Sequence, residues 1–125
     1  MRILLVNPPI HDFSAHDFWL KPYGLLRVAG WLRPAAELRL FDFMDRSLLV
    51  APRTGQFKSD AWGRGRYMEE QTPKPPVFSD IPRYFRRFGL PRRVFREFLR
   101  AEDPFDVVLI QTMMTYWYPG VREVI

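Results

Sequence analysis

At 125 residues, 47% hydrophobic and 16% aromatic, the chain carries enough apolar side chain for one packed core and too little length for several domains. Cysteine is absent, which excludes disulfides, thiolate zinc sites, a cysteine nucleophile and a cysteine-held iron–sulfur cluster within these residues. A formal charge of +5 raises a polyanion-binding reading. No apolar run approaches the roughly 20 residues of a membrane span, and Ile3–Val6 is too short for a signal-peptide core, so the expectation is a cytoplasmic protein with no membrane partner.

The opening RILLVNPP is an aliphatic run stopped by Asn7, Pro8 and Pro9, which predicts a central parallel strand over Ile3–Val6, buried on both faces. Residues 10–21 keep neither a two-residue nor a 3.6-residue period and read as a long loop. Pro22 suits the first turn of a helix, where its missing N–H would have no partner. The spacing predicts a helix over Tyr23–Arg33, ended by Pro34, with Leu25, Leu26, Val28, Ala29 and Leu32 as its apolar stripe. Gly24 and Gly30 weaken that helix and are expected where it approaches a sheet or a ligand. Glu37–Phe43 alternates, with Leu38, Leu40 and Asp42 on one face and Arg39, Phe41 and Phe43 on the other, predicting a second strand. Strand, helix, strand with short connections is a βαβ unit with parallel strands.

From 48 to 81 the pattern dissolves into Pro, Gly, Arg and Ser with scattered aromatics, which reads as an irregular insertion; Trp62, Tyr67 and Phe78 are expected to pack against something. Residues 82–102 predict two short amphipathic helices, with Tyr84, Phe85 and Phe88 inward in the first and Val94, Phe95, Phe98 and Leu99 in the second. Seven arginines between Arg83 and Arg100 would take the outer face, with Glu97 alone to offset them. Asp106–Thr112 repeats the buried-strand pattern, and Pro119 opens a helix toward Ile125. Three parallel strands are fewer than the usual five to six, so the expectation is an α/β domain incomplete at its C-terminus.

With the first strand central and the other two on either side, the strand order reverses between the first and third, and ligands bind outside the carboxyl ends of strands at such a point. The loops meeting there are Asn7–Trp19 and Thr112–Pro119. The second, TMMTYWYPG, offers apolar and aromatic groups that a soluble surface rarely exposes without a contact to make.

Three segments carry a resemblance: NPPIHDFSAHDFWLKPYGLLRVAGWLR (7–33), GRGRYMEEQTPKP (63–75) and DVVLIQTMMTYWYPGVREVI (106–125). In order and spacing the chain resembles the N-terminal cobalamin-binding-type domain of radical SAM proteins, truncated before the radical SAM domain. That resemblance implies a flavodoxin-like (Rossmann-like) three-layer domain over 1–125, carrying the insertion at about 48–81. It implies a cofactor-positioning module that is not catalytic by itself, with cobalamin held by Asn7, Pro8, Pro9, Thr112, Met113, Thr115 and Tyr116. The [4Fe–4S] cluster and S-adenosylmethionine would belong to a C-terminal radical SAM domain of the parent chain, the implied partner. The sequence departs from the family in lacking the Cys-x3-Cys-x2-Cys motif and the Asp-x-His-x-x-Gly loop that supplies an imidazole to cobalt; the first loop reads instead Asp12-Phe-Ser-Ala-His16-Asp. An apolar face left open by truncation predicts self-association.

The same residues bear on other chemistries. His11, Asp12, His16 and Asp17 have the ligand types of a metal site, but an ordinary polar loop is the favoured reading, and no metal is expected. Asp42 stands where Rossmann-like proteins hydrogen-bond a ribose, yet no Gly-x-Gly-x-x-Gly precedes it, so a structural role is favoured. The alternative function is a basic α/β adaptor gripping RNA or another polyanion through Gly63–Tyr67 and Arg83–Arg100; solvent-facing arginines on amphipathic helices are the preferred account of those residues.

Overall fold

The computed structural model describes residues 1–19, 21–47 and 59–125. Along the chain lie strands β1 (Arg2–Asn7), β2 (Ile10–Asp12), β3 (His16–Asp17) and β4 (Glu37–Asp42), then β5 (Gly65–Arg66), β6 (Glu69–Gln71), β7 (Arg86–Phe88) and β8 (Val107–Ile110). Three helices join them: α1 (Tyr23–Leu32), α2 (Arg92–Ala101) and α3 (Tyr118–Val124).

An unbroken aliphatic run must be covered on both faces, and the sheet supplies that cover. β1 is the middle strand of a parallel sheet in the order β4-β1-β8, with Ile3, Leu4, Leu5 and Val6 all buried. The register pairs Leu4 with Arg39 and Val108, and Val6 with Phe41 and Ile110. The chain is thus mixed α/β with a three-stranded parallel sheet, in the strand order the sequence predicts.

Alternation along β4 puts Phe41 on the face covered by α2, where an aromatic cluster forms. The Phe41 ring lies 4.8 Å from that of Phe43 and 4.8 Å from that of Phe95, and 5.1 Å from that of Phe98. Each such pair adds roughly 0.5–1.5 kcal/mol beyond the area it buries. On the opposite face α1 presents Leu25, which is buried, with Ala29 and Leu32 half-buried at the following turns. The stripe is narrower than expected: Leu26 and Val28 are exposed, because the i, i+4, i+7 row alone meets the sheet. Gly24 and Gly30 have nothing within 4 Å of a Cβ, so neither marks a close approach.

A second sheet, antiparallel in the order β2-β7-β6, stands beside the first, and β3 pairs antiparallel with β5. The sequence reading is corrected here in three places. β8, expected to be buried like β1, lies at the sheet edge among the described residues and leaves Val107 and Val108 exposed. Residues 10–21 contain two short strands, and the first of the two expected helices is instead β7. Phe85 and Phe88 are buried as expected, but Tyr84 is 64% exposed, and Arg87, expected outside, is 2% exposed. Strand alternation turns Arg87 inward between the β2 and β6 neighbours His11 and Glu70. Of the expected irregular insertion, 48–58 lie outside the described residues; 59–81 hold β5, β6 and a single 3-10 turn at Pro76–Phe78. Tyr67 there is buried, Phe78 half-buried and Trp62 exposed. Among the described residues no helix is long and apolar enough to cross a membrane.

The turn from β7 to α2 requires glycine: Gly89 has φ +121°, and a Cβ there would lie 2.7 Å from the Phe43 carbonyl oxygen. Gly89→Ala is expected to lower stability by about 1–3 kcal/mol. Urea denaturation should show an earlier midpoint at unchanged slope, and an unmoved midpoint contradicts this packing.

Candidate functional site

The chain leaves β1 at Asn7 and leaves β8 at Ile110, and these adjacent exits open on one cavity of about 330 Å³. Its volume is at the small end of the range for small-molecule sites. One wall is Asn7 to Ile10 and the facing wall Gln111 to Thr115; Trp117, Tyr118 and Val121 close the end, and Met44 and Lys21 complete the rim. Both the location, at the carboxyl ends of neighbouring strands, and the mixture of thioether, aromatic and amide groups suit an organic ligand with a flat apolar part.

Each wall is fixed by the residues beneath it. Asp42 Oδ1, at the end of β4, accepts hydrogen bonds from Asn7 Nδ2 at 2.7 Å and from the Met44 N–H at 2.9 Å. These bonds lock the ends of β1 and β4 together. Burial pushes the Asp42 carboxyl above its usual range, against the hydrogen bonds from Asn7 and Met44 and the charge of Lys21, which favour the ionised form. Asp42 is therefore a structural partner of Asn7.

The facing wall is held by Trp117, whose Nε1 donates to Asp12 Oδ2 at 2.8 Å. α3 then lies directly on the Asn-Pro-Pro segment. A Cβ at Gly120 would fall 1.9 Å from the Pro9 carbonyl oxygen, so this position admits no side chain without moving the helix.

One turn further along α3, Glu123 is the hub of a buried charge cluster. Arg87 donates to it from Nε at 2.9 and 2.8 Å and from Nη2 at 2.6 Å, while Arg92 Nη2 lies 3.1 Å away and His11 Nε2 3.3 Å away. The rest of the Arg87 fork is satisfied by the carbonyls of Gly89 and Leu90. Burial alone would push the Glu123 carboxyl up, but hydrogen bonds from His11 and Arg87 and the charges of Arg87 and Arg92 prevail and hold it at about 2.

Of the site residues named from sequence, Asn7, Pro8, Pro9, Thr112, Met113 and Thr115 line the cavity. Tyr116 does not; it turns outward, 42% exposed, with its ring edge-on to Trp117. Lys21, Met44, Gln111, Val121 and Arg122 line it without having been singled out. For two of them a signal existed: Tyr118, Val121 and Arg122 share one face of α3 by helical spacing.

The four residues of the weighed metal reading go separate ways. His11 meets Glu123, Asp12 meets Trp117, and Asp17 meets Arg46 at 3.2 Å, while His16 is exposed. No group of three or more His, Cys, Asp or Glu able to hold a metal occurs among the described residues. Several arginines of the alternative polyanion reading are engaged internally: Arg64 with Asp60, Arg86 with Glu69, Arg93 with Glu97, and Arg87 and Arg92 with Glu123.

Because the folded Glu123 pKa of about 2 lies below the unfolded 4.5, its contribution is complete above about pH 4.5 and is lost as pH falls toward 2. Glu123→Gln leaves Arg87 buried without its counter-charge and is expected to cost about 3–5 kcal/mol. Urea denaturation between neutral pH and pH 3 should show a shallower acid loss in the variant than in the parent; parallel curves contradict the role of Glu123.

No family model matches the sequence, and neither the curated proteins nor the solved structures contain a match to it.

Proposed function

We propose that the chain is a cofactor-positioning module of the cobalamin-binding type, flavodoxin-like in plan, which holds a flat ring at the shared rim of β1 and β8 and performs no chemistry of its own. The observation that carries the reading is the cavity itself. It sits where the order β4-β1-β8 leaves a crevice between two adjacent parallel strands, and its floor is apolar with amide and hydroxyl groups at the edge.

The residues fit one part of such a group and not another. Met113, Met114 and Trp117 offer an apolar surface to a ring, while Asn7, Thr112 and Thr115 could meet amide groups at its border. A corrin is larger than this hollow, so only one edge or face would enter. No histidine lines the cavity among the described residues, and His11 is occupied by Glu123, so the cavity as described offers cobalt no imidazole. When bound, cobalamin would supply the reactive cobalt. The protein would orient the ring and exclude water from the face it covers.

In this reading the partner is a radical SAM domain of a longer parent chain, bringing the iron–sulfur cluster and S-adenosylmethionine. The edge strand β8, with Val107 37% and Val108 47% exposed, is a surface such a domain or a second copy would cover.

Hydroxocobalamin should co-elute with the protein in gel filtration, shift in visible absorbance and quench tryptophan emission saturably at one equivalent. Val121→Trp, which fills the cavity, should weaken binding about tenfold or more, a loss of about 1.4 kcal/mol for each factor of ten. Absence of co-elution, or affinity unaffected by Val121→Trp, overturns the proposal.

A further inference from the structure

The cavity is charged in one sense. Among the described residues its lining includes two cations, Lys21 and Arg122, and no aspartate or glutamate. Neither cation makes an ion pair among the described residues. Elsewhere the chain pairs its inward-facing cations closely: Arg87 with Glu123, and Arg46 with Asp17. The charge of Lys21 acts on Asp42, whose carboxyl is committed to Asn7 and the Met44 N–H. Glu123, next to Arg122 in sequence, is committed to Arg87, Arg92 and His11.

One further feature makes this arrangement specific. Arg122 is not a loose surface side chain: its guanidinium lies 5.0 Å from the centre of the Tyr118 ring, which pins it to the cavity wall by a cation–π contact.

We infer that this cavity binds a small amphipathic organic anion: a flat apolar body on the Met113–Trp117 surface and one phosphate or carboxylate at the cations Lys21 and Arg122. The inference rests on the reading of the cavity as the binding site, and it adds the charge and polarity of what enters. The anion can be a free small molecule or the anionic arm of a larger cofactor, and the recognition chemistry is the same for both.

The test uses two probes with one ring system, 1-naphthyl phosphate and the uncharged 1-naphthalenemethanol, titrated into the isotope-labelled chain while backbone amide resonances are followed. The phosphate should shift the amides of Gln111 to Thr115 and bind about tenfold more tightly than the alcohol, with the preference shrinking as salt is raised. Lys21→Gln and Arg122→Gln, both at exposed positions, should each weaken the phosphate several-fold and leave the alcohol unchanged. Equal affinities for the two probes, equal effects of the substitutions on both, or shifts confined to other segments overturn the inference. Hydroxocobalamin binding without any anion preference overturns it while leaving the proposed function standing. Phosphate binding as described, with no cobalamin binding, supports the inference and removes the cobalamin reading. Displacement of naphthyl phosphate by hydroxocobalamin assigns the anion to the larger cofactor; simultaneous binding assigns it to a separate small molecule, and either supports the cation pair as its seat.

Discussion

The buried carboxylate of Glu123 is the constraint on which the rest of the arrangement depends. A parallel sheet of three strands gives the chain a floor, but the wall of the cavity comes from α3, a helix of seven residues that could not persist alone. Its position is set by Glu123 reaching into the antiparallel sheet, where Arg87 of β7 and His11 of β2 both meet it. An ion pair taken out of water is stable only when its remaining donors are satisfied, and here the Gly89 and Leu90 carbonyls complete the Arg87 fork. The antiparallel sheet and the helices α2 and α3 are joined at one point.

The parallel sheet was legible in the sequence because a wholly aliphatic run has few ways to be buried. RILLV demands cover on both faces and has it, VVLI carries the same aliphatic signature although Val107 and Val108 stay exposed at the sheet edge, and ELRLFD shows its two faces by alternation. The second sheet was not legible for the opposite reason. β2 and β7 are three residues each, too short for a period to develop, and their conformation is decided by pairing with distant segments. Around β7 the sequence YFRRFG places aromatics three and four residues apart, which imitates a helix. An inward-facing arginine defeats a reading in which charge marks the outside, since only its partner 36 residues later makes that burial tolerable.

The cavity shows the same division. Its place followed from topology alone: once three parallel strands and their order are assigned, the loops that meet are determined, and six of the seven named residues do line one cavity. Tyr116 lies outside that cavity because a 3-10 turn at Thr115–Trp117 rotates neighbouring side chains apart, sending Trp117 inward to Asp12 and Tyr116 outward. Lys21 and Met44 were invisible because they reach the rim from other connections, and no local pattern reports such convergence.

The interleaving of the parallel sheet also governs how the chain assembles. The bond from the Arg2 backbone N–H to Asp106 joins residues 104 positions apart, so β1 and β8 are among the most separated partners the molecule has. During synthesis at about 5–20 residues per second, the aliphatic edge of β1 therefore waits on the order of 5–20 s for its second neighbour. Closing so long a loop is entropically slow, and an uncovered aliphatic strand is a template for pairing with other chains. Recovery of native protein should thus be governed by how well that waiting edge is shielded, by dilution, low temperature or a chaperone, more than by the final depth of the folded energy well.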